Sequence, residues 1–128
     1  MTAGKKNVFY VKYLADELYT QILGEEKTIT LTRLENESPA SVADPVLANA
    51  HGYQVGAARD ELAPHFHVTK ELLAKCPKLL VVSSNGAGYD TVDVDACTEA
   101  GVLVVNQSGG NAQSVAEHAL GMILSLSK

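Results

Sequence analysis

Two short apolar runs constrain the fold more than any other feature. Residues 78–84 read KLLVVSS and residues 102–106 read VLVVN. Runs of this kind, without polar alternation, suit central strands of a parallel sheet, buried on both faces. Parallel strands need a crossover connection, usually a helix. Residues 93–100 supply one between the two runs, with Gly101 as its stop. The same alternation extends toward the amino terminus. Residues 7–14 (NVFYVKYL) are rich in aromatic and β-branched residues and read as a strand. Leu18, Ile22 and Leu23 fall at helical spacing in a helix predicted over residues 16–23, which Gly24 ends. Residues 29–34 alternate as a half-buried strand does. Ser38-Pro39 marks a turn, and a helix starting near Ser41 extends to Asn49. Residues 53–58 are a short third strand. Thr69 is placed to cap a helix over residues 70–76 that Pro77 ends. Residues 59–68 are the least regular and read as a loop. Five strands with helices between them predict an α/β protein with a doubly wound parallel sheet.

The 128 residues suit one domain of ordinary size. With 46% hydrophobic and 20% charged residues, the chain is expected to fold rather than stay disordered. A net charge of -5 and a pI near 5.2 argue against a nucleic-acid groove or an anionic membrane surface as partner. Lys5-Lys6 is the one adjacent basic pair, and a solvated terminus accounts for it. Cys76 and Cys97 have no partner at metal-ligand spacing and read as small buried thiols in helices. The first seven residues are polar, and no apolar run reaches the roughly 18 residues of a membrane helix. A cytoplasmic protein with reduced thiols is the expectation.

Ligands of open α/β sheets bind at the carboxyl ends of strands. The first loop there is Asn85-Gly86-Ala87-Gly88-Tyr89-Asp90, after the strand ending at Ser84. Its two glycines let backbone N–H groups point into one small space and cradle an anion, with Asp93 starting the next helix. A tight structural turn is the bland alternative. Gly86-Ala87-Gly88 is not a dinucleotide fingerprint: Thr91 stands at the third glycine position, and no acidic residue ends the next strand. The second loop is Gln107-Ser108-Gly109-Gly110-Asn111. Asn111 is positioned to cap the last helix or to offer its amide to a ligand, capping being the first reading of the residues alone. Ser114 with Glu117 also has capping-box spacing.

Histidines give no catalytic constellation. His65 and His67 lie two apart in the irregular loop with no third ligand in view, and surface positions explain them. His51 reads as a helix end. His118 and Glu117 are neighbours on a helix and diverge, so they are no ready-made dyad. No metal site is expected.

Residues 111–128 (NAQSVAEHALGMILSLSK) predict a helix with too much apolar surface for a chain end. Val115, Ala116, Ala119, Leu120, Met122, Ile123, Leu124 and Leu126 spread around it rather than along one stripe. Such a helix is normally buried. Either a second copy or a further domain is expected to cover it.

Taken together, residues 79–128 resemble the D-isomer-specific 2-hydroxyacid dehydrogenases, which include formate and phosphoglycerate dehydrogenases. The resemblance rests on residues 78–82, on Gly86-Ala87-Gly88-Tyr89-Asp90-Thr91-Val92-Asp93, on Ala100-Gly101-Val102, on Val104-Val105-Asn106, and above all on residues 111–120. Ser-Val-Ala-Glu-His followed by Met-Ile-Leu-Ser-Leu is particularly similar to the formate dehydrogenase branch. The first 77 residues fit only the order of strands and helices. The resemblance implies a flavodoxin-like substrate domain over residues 1–110 and a protruding carboxyl-terminal interdomain helix over 111–128. That helix would lead to a Rossmann domain binding NAD. It also implies that Asn85, Gly86, Ala87 and Gly88 hold the substrate carboxylate and that Asn111 lies beside the substrate. A homodimer through helix 111–127 is implied too. The family's Gly-x-Gly-x-x-Gly loop and its catalytic arginine, acidic residue and histidine have no counterpart in these residues. No catalytic or cofactor-binding residue is therefore expected in this chain.

The expected function is the amino-terminal portion of an NAD-dependent D-2-hydroxyacid dehydrogenase, binding a small carboxylate substrate and inactive by itself. The alternative is a stand-alone, non-catalytic α/β module for a small carboxylate. A response-regulator-like switch fits poorly, because Ala57-Ala58-Arg59-Asp60 is a poor phospho-acceptor setting.

Overall fold

The computed structural model describes residues 4–12 and 16–127. Positions 13 and 14 of the first expected strand, and Lys128, lie outside them. The chain runs β1 (Lys6–Val11), α1 (Glu17–Glu25), β2 (Ile29–Leu34), α2 (Ala40–Asn49), β3 (Gly52–Val55), α3 (Lys70–Lys75), β4 (Val81–Ser84), α4 (Val94–Glu99), β5 (Leu103–Val105) and α5 (Ala112–Leu126). The five strands form one sheet in the order β2-β1-β3-β4-β5, every pair parallel. That is the flavodoxin-like order.

The sheet order decides which strands are buried. β3 lies at the centre and is buried at all four positions. The strand expected over residues 53–58 starts one residue earlier and ends at Val55, so residues 56–58 belong to the loop that follows. β5 lies at the edge, with Leu103 62% and Val105 39% exposed. The expectation that run 102–106 is buried on both faces is therefore corrected. Its apolar composition matches that of an internal strand, but among the described residues no strand pairs beyond it. β4 keeps only the second half of its run. Lys78 and Leu80 are exposed while Leu79 is in the core, because Leu79 N–H bonds back to Cys76 O and closes a turn after α3.

The core lies on both faces of the central strands. Phe9 of β1 and Tyr53 of β3 are register partners, and their rings stack at 4.1 Å and 12°. The Tyr53 hydroxyl donates to Phe66 O at 3.0 Å in the interior. Leu47, Val55, Val68, Leu72, Val82 and Cys97 complete the same cluster. Segment 59–68 is a loop as expected, yet it contributes core. A 3-10 turn at Pro64–Phe66 drives Phe66 inward, and Leu62, Phe66 and Val68 are all buried. An isolated parallel bridge joins Val68 to Val92, through Val68 N–H to Thr91 O and Asp93 N–H to Val68 O.

Helix ends follow local chemistry. Asp16 caps α1 by accepting from Leu18 N–H at 2.7 Å, and Asp93 caps α4 by accepting from Ala96 N–H at 2.9 Å. Gly101, at φ 71, takes the left-handed stop after α4 that favours glycine. α1 continues one residue past Gly24 and leaves Leu18 and Ile22 exposed. Thr69 and Asn111 occupy N-cap positions, but neither side chain makes a cap bond. The Ser114–Glu117 capping box is also corrected: α5 starts at Ala112, and Glu117 instead accepts from Gln113 Nε2 at 2.9 Å. No residue of α5 is buried, and Leu120, Ile123 and Leu124 stand open on its surface. Among the described residues no helix is long and apolar enough to cross a membrane.

Candidate functional site

A cavity of about 190 Å³ opens at the carboxyl ends of β1, β3 and β4. Val11 and Lys12 border it from β1, Gly56, Ala57 and Ala58 from the loop after β3, and Asn85 from the loop after β4. Glu61 and Leu62 close its outer side. β1 and β3 are neighbours although β2 comes between them in the chain, so the strand order reverses here. Such a switch point leaves a crevice between loops that depart to opposite sides of the sheet. Lys12 takes φ 69, the one non-glycine residue in the left-handed region among those described.

The loop after β4 enters the cavity wall through Asn85 and continues beside it as Gly86, Ala87 and Gly88. Asn85 N–H continues the ladder to Val55 O at 2.9 Å. The next three carbonyls are all engaged. Gly86 O accepts from Gln107 N–H at 2.9 Å, Ala87 O from Asn106 Nδ2 at 2.9 Å, and Gly88 O from the Ser84 hydroxyl at 2.5 Å. The N–H groups of Gly86, Ala87 and Gly88 make no hydrogen bond within the described residues. Pinning three successive carbonyls from β4 and the loop after β5 leaves the opposite edge of the loop as a row of open donors. That is the electrostatic make-up of an anion cradle. Of the four residues expected to hold a carboxylate, Asn85 lines the cavity and Gly86, Ala87 and Gly88 follow it in the same loop. Asn111, exposed at the start of α5, makes no hydrogen bond with this loop; its carbonyl starts the helix by accepting from Val115 N–H at 3.0 Å.

Neither cradle glycine is there for backbone strain. Only Gly101 and Gly109 have positive φ among the described glycines. A Cβ on Gly86 or Gly88 would meet nothing closer than Ala57 Cβ, at 3.9 and 3.7 Å. The space beside this loop is therefore not taken up by the protein's own packing.

The first turn of α4 is not part of the cradle, contrary to a plain reading of Asp93 as a helix start open to an anion. Asp93's own carboxylate occupies it. Nor does this loop have the geometry of a dinucleotide fingerprint. Thr91, at the third glycine position, is buried and donates its hydroxyl to Gly56 O at 2.7 Å, tying the β3 and β4 loops together. These residues do not fit the pyrophosphate of NAD, which needs a close-packed glycine and an open helix terminus.

Sequence reading missed Gln54. It is 5% exposed on β3, and its Nε2 donates to Asn85 Oδ1 at 2.5 Å while its Oε1 accepts from the Tyr19 hydroxyl at 3.1 Å. The one signal was a glutamine inside an otherwise apolar strand. Burial pushes the Tyr19 phenol above its ordinary range, so it stays a donor at neutral pH. The histidines stand elsewhere. His67 Nε2 pairs with Leu62 O, His65 packs on the Phe66 ring, and His51 Nδ1 accepts from Asn7 N–H at 3.1 Å. Burial raises both thiols, Cys76 to about 11, and keeps them protonated.

Residues 17–122 match the family model described as the catalytic domain of D-isomer specific 2-hydroxyacid dehydrogenases. A D-3-phosphoglycerate dehydrogenase of Mycobacterium tuberculosis is 52% identical over 61 residues, 48% of this chain and 12% of that protein. An (S)-sulfolactate dehydrogenase of Chromohalobacter salexigens is 49% identical over 53 residues, 41% of this chain and 17% of that protein. The chain thus spans between 11% and 21% of the length of such curated relatives. The crystal structure of D-lactate dehydrogenase from Aquifex aeolicus, complexed with NAD and lactic acid, superposes with a TM-score of 0.71 at 27% identity, covering 94% of this chain and 33% of that one. An NAD-dependent formate dehydrogenase from Staphylococcus aureus, at 23% identity and TM-score 0.69 over 92% of this chain and 37% of that one, shares the fold. The match covers most of the sheet and the cradle, so this chain belongs to the D-isomer specific 2-hydroxyacid dehydrogenase family.

Proposed function

We propose that this chain is the amino-terminal, acid-binding portion of an NAD-dependent D-2-hydroxyacid dehydrogenase, and that Asn85, Gly86, Ala87 and Gly88 hold the substrate carboxylate. One observation carries the reading: the three loop carbonyls are bonded while the three loop amides make no hydrogen bond among the described residues. Two or three N–H donors converging on a carboxylate oxygen is how backbone binds a small anion. Asn111 is a second contact, its amide left unused by the helix it precedes. The relatives' names point to small 2-hydroxy acids, namely phosphoglycerate, sulfolactate and lactate.

Hydride transfer also requires a nicotinamide against the substrate carbon and a proton acceptor at the hydroxyl. These residues hold neither, so their contribution is to bind and orient the acid. NAD belongs to the whole enzyme in this reading. Residues 1–110 are the substrate domain and 111–128 the helix joining it to the cofactor domain. The apolar surface of α5 is covered by a second copy of the chain, making a homodimer. A stand-alone binding module is not favoured, since residues 17–122 match a catalytic-domain model.

Amide NMR of the chain titrated with oxalate tests the site. The Gly86, Ala87 and Gly88 resonances are expected to move first and furthest. Shifts confined to other residues refute the assignment. NADH fluorescence is expected not to change on adding the chain; saturable micromolar binding would overturn the domain reading.

A further inference from the structure

We propose that Gln54, itself held by Tyr19, fixes the orientation of the Asn85 amide so that Nδ2 alone faces the cavity, making this corner of the site selective for an acceptor oxygen of the bound acid. The inference rests on the cradle reading and adds a positioning pair to it. Gln54 is almost wholly buried, yet every polar atom of its side chain is placed. The Tyr19 hydroxyl donates to Oε1, which leaves Nε2 as the end that faces Asn85. Nε2 can only donate, so Asn85 must present Oδ1 to it. The other branch of the Asn85 amide, Nδ2, has no partner among the described residues, and Asn85 lines the cavity. A freely turning asparagine would offer either a donor or an acceptor there. This one offers two N–H groups beside the open amides of Gly86 and Ala87, all of one polarity.

Position favours the same reading. Gln54 lies between Tyr53 and Val55 on the most buried strand, where an apolar side chain would cost nothing to desolvate. A buried amide there is tolerated only because both its ends are bonded. α1 contributes Tyr19 to this chain of bonds while burying no residue of its own. The orientation of Asn85 thus depends on a helix that the core does not otherwise fix.

The test uses side-chain and backbone amide NMR of the chain with oxalate. In the wild type the Asn85 Nδ2 protons are expected to shift along with the backbone amides of Gly86–Gly88, while the Gln54 Nε2 protons stay put. Gln54→Glu replaces the donor by an acceptor-only group of the same shape, so the Asn85 amide turns over. The Asn85 side-chain response to oxalate then disappears. Gln54→Met removes the bond without adding charge, and oxalate affinity drops roughly tenfold, the worth of one charge-assisted hydrogen bond. Tyr19→Phe gives a smaller loss of the same kind. Backbone shifts at 86–88 without an Asn85 side-chain shift in the wild type overturn the orientation proposal and leave the cradle standing. So does unchanged oxalate affinity in both Gln54 variants. No shift at either group refutes the cradle, and this proposal with it.

Discussion

Replacing Gly88 by alanine separates a ligand cradle from a structural turn. If the glycine were required by the fold, an added methyl would strain the backbone or strike a neighbour. Neither holds. The φ of Gly88 lies outside the left-handed region, and the nearest atom to its Cβ would be Ala57 Cβ at 3.7 Å, an ordinary contact. The alanine restricts the unfolded chain, which stabilises the fold by about 0.4–1 kcal/mol. For a domain of this size that is a rise in Tm of roughly 1–5 °C. The methyl would, however, stand beside Ala57, which lines the cavity, and beside the open amides. Oxalate affinity is expected to fall at least about tenfold, the equivalent of one lost carboxylate hydrogen bond. Gly101→Ala is the control. It sits at φ 71 with open space around it, so strain alone acts there; stability drops about 1 kcal/mol and binding is untouched. Thermal melts and oxalate titrations on both variants decide the matter. A Gly88→Ala protein that is destabilised like Gly101→Ala, or that binds oxalate as the wild type does, refutes the reasoning.

Other perturbations follow from single contacts. Tyr53→Phe leaves the Phe66 carbonyl without its buried partner and is expected to cost about 1–2 kcal/mol in urea unfolding; a change within error means that the bond to the 3-10 turn is not formed. Burial, with Lys6 and Lys78 nearby, lowers the His51 pKa below its ordinary value, and its Nδ1 accepts from Asn7 N–H. The unfolded chain then takes up a proton first. Stability is full above about pH 6.5 and declines as pH falls through the lowered pKa. Urea midpoints measured between those limits are expected to show this slope in the wild type and less of it in His51→Gln; equal slopes contradict the assignment. Leu120→Glu or Ile123→Glu is expected to convert a dimer into a monomer by sedimentation, because both side chains stand open on α5. A wild-type chain that is already monomeric removes α5 as the dimer contact.

The number and type of elements were legible because periodicity reports burial, and burial follows the period of the chain. Strand identities within the sheet were less so. Residues 102–106 and 78–84 each carry a run of four apolar residues, but which of them lies inside depends on the order of strands, a property of the whole sheet. The edge position of β5 was invisible locally for that reason. Gly52 and Gln54 disguised the most buried strand. Gly52 is small because a Cβ there would come within 3.3 Å of Val8 Cγ2, a contact made across strands 44 residues apart in sequence. Phe66 and Val68 looked like loop residues, since a single 3-10 turn has no periodicity to detect.

The proposed cradle is marked in the sequence by its glycines, but what would make it a cradle lies elsewhere in the chain. Gly86 and Gly88 permit a tight loop; they do not decide which edge of it faces a ligand. Ser84, Asn106 and Gln107 decide that by claiming the three carbonyls, and two of the three come from beyond the intervening helix. The same holds for Asn85, whose polarity toward the cavity is set from β3 and α1. In the proposed site a motif in one loop marks where an anion would sit, while the donors it would meet are oriented by residues that no local pattern connects. A variant survey confined to residues 85–88 would miss half of the site. Substitutions at Gln54 and Asn106 are expected to alter acid binding although neither side chain need touch the acid.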